Sequence, residues 1–137
     1  MRQAMKPLLL AFAFASCLVS GIANAQVSTT SYIINNDYET AKALAKETDM
    51  PILLIFSADW CAYCNQLKKD MPNLQEIDRY IVCTIDIETN PELKKKMEIK
   101  ILPTSVIIDQ TNNNNEISRK AGYKTEEYSR WLRRKSN

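Results

Sequence analysis

The chain has 137 residues, 45% of them apolar, which suits one domain with a modest hydrophobic core. Its 18 basic and 16 acidic residues nearly cancel, leaving no cationic surplus to hold nucleic acid, and it has only 2 glycines and no histidine. Ser-His-Asp and Cys-His catalysis, histidine-liganded metal centres and glycine-rich phosphate loops are thereby excluded, while 4 cysteines remain.

Residues 1–25 carry two early positive charges (Arg2, Lys6), an apolar run from Leu8 to about Val19, and the small-residue end Ala23-Asn24-Ala25. This is the layout of a secretory signal peptide, with cleavage expected before Gln26 and a periplasmic or secreted destination. The apolar run is shorter than the roughly 20 residues of a bilayer span, so no stable membrane insertion is expected after processing. A second reading uses Phe14-Ala15-Ser16-Cys17, which resembles the lipobox cut before a lipidated cysteine. The residues after Cys17 stay apolar, however, where a lipoprotein tether is ordinarily polar. Removal of residues 1–25 leaves acidic and basic residues in balance, one glycine (Gly122) and three cysteines, Cys61, Cys64 and Cys83. An odd number of cysteines in an exported chain implies one closed pair and one leftover thiol.

The spacing places an N-terminal arm over residues 26–36. A helix is expected from Asp37, a fitting N-cap, with Tyr38, Ala41, Leu44 and Ala45 at helical spacing up to the stop at Thr48-Asp49-Met50-Pro51. Ile52 to Phe56 is a continuous apolar run of strand length, as in a central strand buried on both faces. Cys64, Leu67 and Met71 share one side of a helix that opens near Cys61 and ends at Pro72, and Leu74 and Ile77 suggest a further helical turn. Ile81 to Ile87 alternates and is rich in branched residues, which predicts a strand; Pro91 opens a short helix carrying Leu93 and Met97.

After Pro103, Thr104 to Asp109 reads as a strand paired as a hairpin with Glu116 to Ala121. Thr111 and the four asparagines between them supply a turn in a chain almost without glycine. A last helix from Thr125 has acids in its first turn and Arg133, Arg134 and Lys135 in its last, which compensates the helix dipole, and buries Tyr128, Trp131 and Leu132. Alternating helices and strands in the first half predict parallel neighbours, and the hairpin predicts an antiparallel edge.

Trp60-Cys61-Ala62-Tyr63-Cys64 lies where a buried strand turns into a helix. Cysteines three apart at such a point can close a small disulfide. At the helix N-terminus the unpaired amides and the dipole favour the thiolate of Cys61, the attacking species, and Cys64, one turn along and more buried, is placed to resolve a mixed disulfide. Other readings compete. A structural zinc site needs four ligands, and the processed chain offers three thiols and no histidine. Haem attachment needs histidine after the second cysteine, where Asn65 stands. A purely structural disulfide in a non-enzymatic binding module stays open, although so short a loop constrains little of the unfolded chain. Cys83 alternates with Ile81, Ile85 and Ile87 and reads as a buried core thiol.

The run Phe56-Ser57-Ala58-Asp59-Trp60-Cys61-Ala62-Tyr63-Cys64, with Asp86, Asn90-Pro91, Leu102-Pro103-Thr104 and Gly122, resembles the thioredoxin superfamily from about Asp37 to Arg134. The resemblance implies an α/β thioredoxin fold, a central mixed sheet of four or five strands flanked by helices within a domain over residues 37–137. It also implies a cis peptide bond before Pro103. By the same resemblance Cys61 and Cys64 are the redox-active pair, and Trp60, Ala62, Tyr63, Leu102 and Pro103 form the docking surface around Cys61. The implied partners are protein thiols and disulfides with an external redox donor or acceptor; no cofactor or metal is implied, and a monomer is expected.

Two departures stand out. Thioredoxins often carry a buried aspartate and a nearby lysine that assist proton transfer at the second cysteine, and the matching positions here are Ile55 and Thr84. Ala62-Tyr63 is nearer to the dipeptide of periplasmic disulfide isomerases than to the Gly-Pro of thioredoxins. Ala-Asp-Trp-Cys resembles the thioredoxin-like periplasmic domain of the transmembrane electron donor of that system. A short chain without the isomerases' dimerisation domain favours a reductase or general oxidoreductase.

Overall fold

In the computed structural model, residues 31–110 and 115–135 are described. The signal-peptide pattern, Cys17 and residues 111–114 of the asparagine turn lie outside them. The described chain runs β1 (Tyr32–Asn35), α1 (Tyr38–Thr48), β2 (Ile52–Ser57), α2 (Ala62–Asp70), β3 (Ile81–Asp86), α3 (Pro91–Lys96), β4 (Thr104–Asp109), β5 (Asn115–Ala121) and α4 (Thr125–Lys135). Two short 3-10 turns, Met71–Asn73 and Gln75–Arg79, connect α2 to β3.

The five strands form one mixed sheet in the order β1-β3-β2-β4-β5. β3 is parallel to both β1 and β2, while β4 is antiparallel to β2 and to β5. This agrees with the predicted parallel half and antiparallel edge. Part of the expected N-terminal arm joins the sheet: Tyr32–Asn35 pairs with Ile81–Thr84 as an edge strand. Four residues are too few for periodicity to distinguish strand from loop; the neighbouring edge of β3 supplies the pairing that the local sequence does not announce.

Each face of the sheet has its own core. Ile52, Leu54 and Phe56 of β2 join Ile81, Cys83 and Ile85 of β3 under α1 and α3, where Ala41, Ala45, Leu93 and, just beyond α3, Met97 pack on them. Leu53 and Ile55 point the other way, with Val82 and Ile107, to meet Leu67 of α2 and Tyr128 and Leu132 of α4. Hence all six residues of β2 are buried, as the unbroken apolar run requires. Trp131, expected in the core, is half-buried: its Nε1 donates to Ser118 Oγ at 2.9 Å and its ring tilts against Tyr128.

Local chemistry sets the element ends. Asp37 caps α1, its Oδ1 accepting from the Thr40 amide at 2.9 Å, and Asp49 ends the helix in the left-handed conformation. Asn36 is also left-handed, and its Oδ1 accepts from the Asp86 amide at 2.7 Å, tying the exit of β1 to the end of β3. Pro91 opens α3, where its missing donor is harmless.

Candidate active site

β2 runs out at Ser57, and within four residues the chain turns into α2 with Cys61 as its N-cap. The Cys61 sulfur accepts from the Cys64 amide at 3.3 Å, so the cap that starts the helix is itself the first cysteine of the motif. Cys61 and Cys64 are joined in a disulfide with Cα atoms 5.2 Å apart, inside the range that needs no backbone movement. No acidic residue occupies the first turn of α2, whereas Lys68 and Lys69 lie in its last, so the positive end of the dipole at Cys61 is not offset by the helix itself. Residue exposure is 7% for Cys61 and 1% for Cys64, the order expected of an attacking and a resolving thiol.

Around this pair the polypeptide breaks the usual rule of burial. Trp60, Tyr63 and Ile101 are 68%, 65% and 58% exposed, although each is large and apolar. Trp60 is held by its indole Nε1, which donates to Glu88 Oε1 at 3.0 Å from the loop after β3. That loop is itself fixed: the Ile87 amide donates to Ser57 O at 3.0 Å, and Asp86 Oδ1 accepts from the Glu88 amide at 2.9 Å. On the other side stands the segment before β4. Its Leu102–Pro103 peptide bond is cis, Thr104 Oγ1 donates to Ile101 O at 2.6 Å, and Pro103 O accepts from the Gly122 amide at 2.8 Å. Gly122 has φ +75°, a conformation that side chains disfavour, which accounts for the only glycine after residue 25.

These segments enclose a groove of about 400 Å³ beside the disulfide. Trp60, Cys61, Ala62, Tyr63 and Leu102 line it, five of the seven site residues picked out in the sequence. Cys64 lies buried behind Cys61, and Pro103 is buried next to Leu102. Ile87, Ile99, Lys94 and Lys100 complete the lining and were not foreseen. They come from two loops and from α3, and no local motif marks them. A second groove, on the far side of Tyr63 and Leu102, is lined by Ile101, Lys120, Tyr123 and Lys124, with Glu127 near both lysines.

Below the site, Ile55 is 1% exposed and pairs in register with Thr84, whose hydroxyl donates to Asn35 Oδ1 at 2.6 Å. Neither side chain titrates. Among the described residues the one buried acid is Glu76, which is ion-paired with Arg133 at 3.1 Å. The arrangement therefore gives a helix-capping disulfide, Cys61–Cys64, beside an apolar groove, without a carboxylate in the core beneath it.

A family model described as a thioredoxin-like domain matches residues 38–136. Thioredoxin C-3 of Corynebacterium nephridii is 30% identical over 87 residues, which is 62% of this chain and 58% of that protein. Thiol:disulfide interchange protein DsbD of Haemophilus influenzae is 30% identical over 124 residues, 83% of this chain but 21% of that protein. The chain thus spans little more than half of one relative and about a fifth of the other. Spinach chloroplast thioredoxin f superposes with a TM-score of 0.63 at 19% identity, covering 78% of this chain and 96% of that one. For a thioredoxin from Thermus thermophilus the TM-score is 0.62 at 22% identity, with coverage of 77% and 87%. At such identities the two structures speak for the fold.

Proposed function

Because the chain belongs to the thioredoxin-like family, we propose that it is an exported thiol:disulfide oxidoreductase acting on disulfides of other proteins through Cys61 and Cys64. The observation that carries the reading is the Cys61–Cys64 disulfide at the head of α2, opening onto an exposed apolar groove.

In the reducing direction the Cys61 thiolate attacks one sulfur of a substrate disulfide. A mixed disulfide forms, and the other substrate sulfur leaves as a thiolate and takes a proton. Cys64, once deprotonated, attacks the Cys61 sulfur, closing the Cys61–Cys64 bond and releasing the second substrate thiol. Two electrons have then passed to the substrate, and an external dithiol must reduce the pair before another cycle. Run backwards, the same steps donate a disulfide. With Ile55 and Thr84 below the site, the proton of Cys64 has no buried carboxylate to go to and leaves by water or by a group outside the core.

Substituting each cysteine tests the reading. Cys61→Ala abolishes insulin reduction, while Cys64→Ala accumulates covalent complexes that dithiothreitol releases. Full activity of Cys61→Ala would refute the proposal and favour a binding module whose disulfide is structural.

Export rests on the pattern of residues 1–25. The protein processed in its host should have an intact mass beginning at Gln26. A lipidated chain starting at Cys17 would overturn this and place the domain on a membrane tether.

A further inference from the structure

The groove beside Cys61 has an asymmetric charge. Its floor and walls are apolar, from Trp60, Ile87, Ile99 and Leu102, yet the only ionisable groups lining it besides Cys61 and Tyr63 are Lys94 and Lys100. Neither lysine is in an ion pair among the described residues. The nearby acids do not cancel them. Glu88 accepts from the Trp60 indole and Glu98 lines the adjoining shallow hollow, but neither carboxylate forms an ion pair with Lys94 or Lys100. Across Tyr63 the second groove also carries two lysines, but there Lys120 and Lys124 share Glu127, at 3.6 and 3.5 Å. The unpaired cations therefore lie on one side of the disulfide.

We propose that the groove selects substrate segments in which the reactive disulfide is flanked by an apolar residue and an acidic one, the acid meeting Lys94 and Lys100. This rests on the oxidoreductase reading above and names its substrate class. The physical grounds are complementarity and size. A cavity of about 400 Å³ lies at the small end of the roughly 300–1,000 Å³ of binding clefts, so it takes a short segment. Apolar walls beside two cations suit a side chain of each kind. Lys94 is half-buried and Lys100 exposed, and such cations at the rim of an apolar groove act chiefly on encounter rate and on rejecting cationic partners. The charge pattern thus supplies selectivity to a centre whose chemistry is indifferent to sequence.

The test uses three synthetic peptides, each with one disulfide next to a leucine and differing only in a neighbouring Glu, Gln or Lys. Second-order rate constants are measured with the fully reduced protein, so no external donor enters. At low ionic strength the Glu peptide should react about fivefold faster than the Gln peptide and the Lys peptide slowest. The differences should shrink towards unity near 0.5 M NaCl, where screening acts over only about 4 Å. In a Lys94→Glu/Lys100→Glu variant the order should invert. Equal rates for the three peptides would overturn the inference and leave the oxidoreductase reading intact, whereas no reaction with any of them would overturn both. A Glu preference that survives in the double variant, or that ignores salt, would likewise overturn the assignment to these lysines. If the double variant fails to fold, the wild-type peptide and salt series decides.

Discussion

Cys61 and Cys83 are the same residue type in opposite electrostatic settings. Cys61 caps a helix, at the edge of a groove, where backbone amides and the helix dipole favour the thiolate. Cys83 sits in β3 between Ile81 and Ile85, fully buried, and burial pushes its thiol up to about 12. A thiol held neutral and out of contact with solvent is neither a nucleophile nor a trap for a partner cysteine. The reduced, native protein should therefore incorporate iodoacetamide first at Cys61, with Cys83 labelled only after denaturation. Peptide mass mapping reads this directly, and native-state labelling of Cys83 at the rate of Cys61 would contradict the burial argument.

Among the elements, α2 is held at both ends by different chemistry. Its N-terminus carries the Cys61–Cys64 disulfide. At its C-terminus Asp70 accepts from Gln66 Nε2 at 3.0 and 3.1 Å, from Tyr123 Oη at 2.8 Å and from Thr125 Oγ1 at 3.0 Å, so it joins α2 to the start of α4. These bonds, that from Gln66 foremost, hold the Asp70 carboxyl below its ordinary value, with burial opposing them weakly. A carboxylate with a depressed folded-state pKa stabilises the fold above its unfolded value and loses that contribution as pH falls through the folded value. Asp70→Asn should accordingly lower the urea midpoint at pH 7. As pH drops below about 4, the ordinary aspartate range, the gap between variant and wild type should narrow. Parallel urea curves with a constant gap from pH 7 to pH 3 would remove Asp70 from this role.

At the scale of the molecule, the sheet order brings the site together. Placing β2 between β3 and β4 puts the loop after β3, with Ile87 and Glu88, on one side of the motif and the Ile101–Pro103 segment on the other. Each contributing segment is anchored to its neighbour by backbone bonds, Ile87 to Ser57 and Gly122 to Pro103. Beyond the C-terminal end of β2 the cores on the two faces of the sheet leave Trp60, Tyr63 and Ile101 exposed together, whereas the other exposed large apolar residues among those described, Ile33 and Ile117, lie singly on the edge strands β1 and β5.

Read from the sequence alone, α1 with its Asp37 cap, the buried β2 and the cysteine-capped α2 were legible. Each is set by neighbours within a turn or a strand, through capping, period and breaker residues. The pairing of Cys61 with Cys64 was legible for the same reason, and so was the burial of Cys83. The edge strand β1, the bond from Trp60 to Glu88 and the pairing of Lys94 and Lys100 with the groove were not. Periodicity reports which face a residue occupies but not which distant segment meets it. Trp60 and Glu88 are separated by 28 residues, and what joins them is the parallel pairing of β2 with β3. Local sequence was enough to set the Cys61–Cys64 pair at the head of α2 and the elements that carry it. Only the tertiary structure decided what surrounds that pair, because the groove consists of contacts between segments that no local pattern connects.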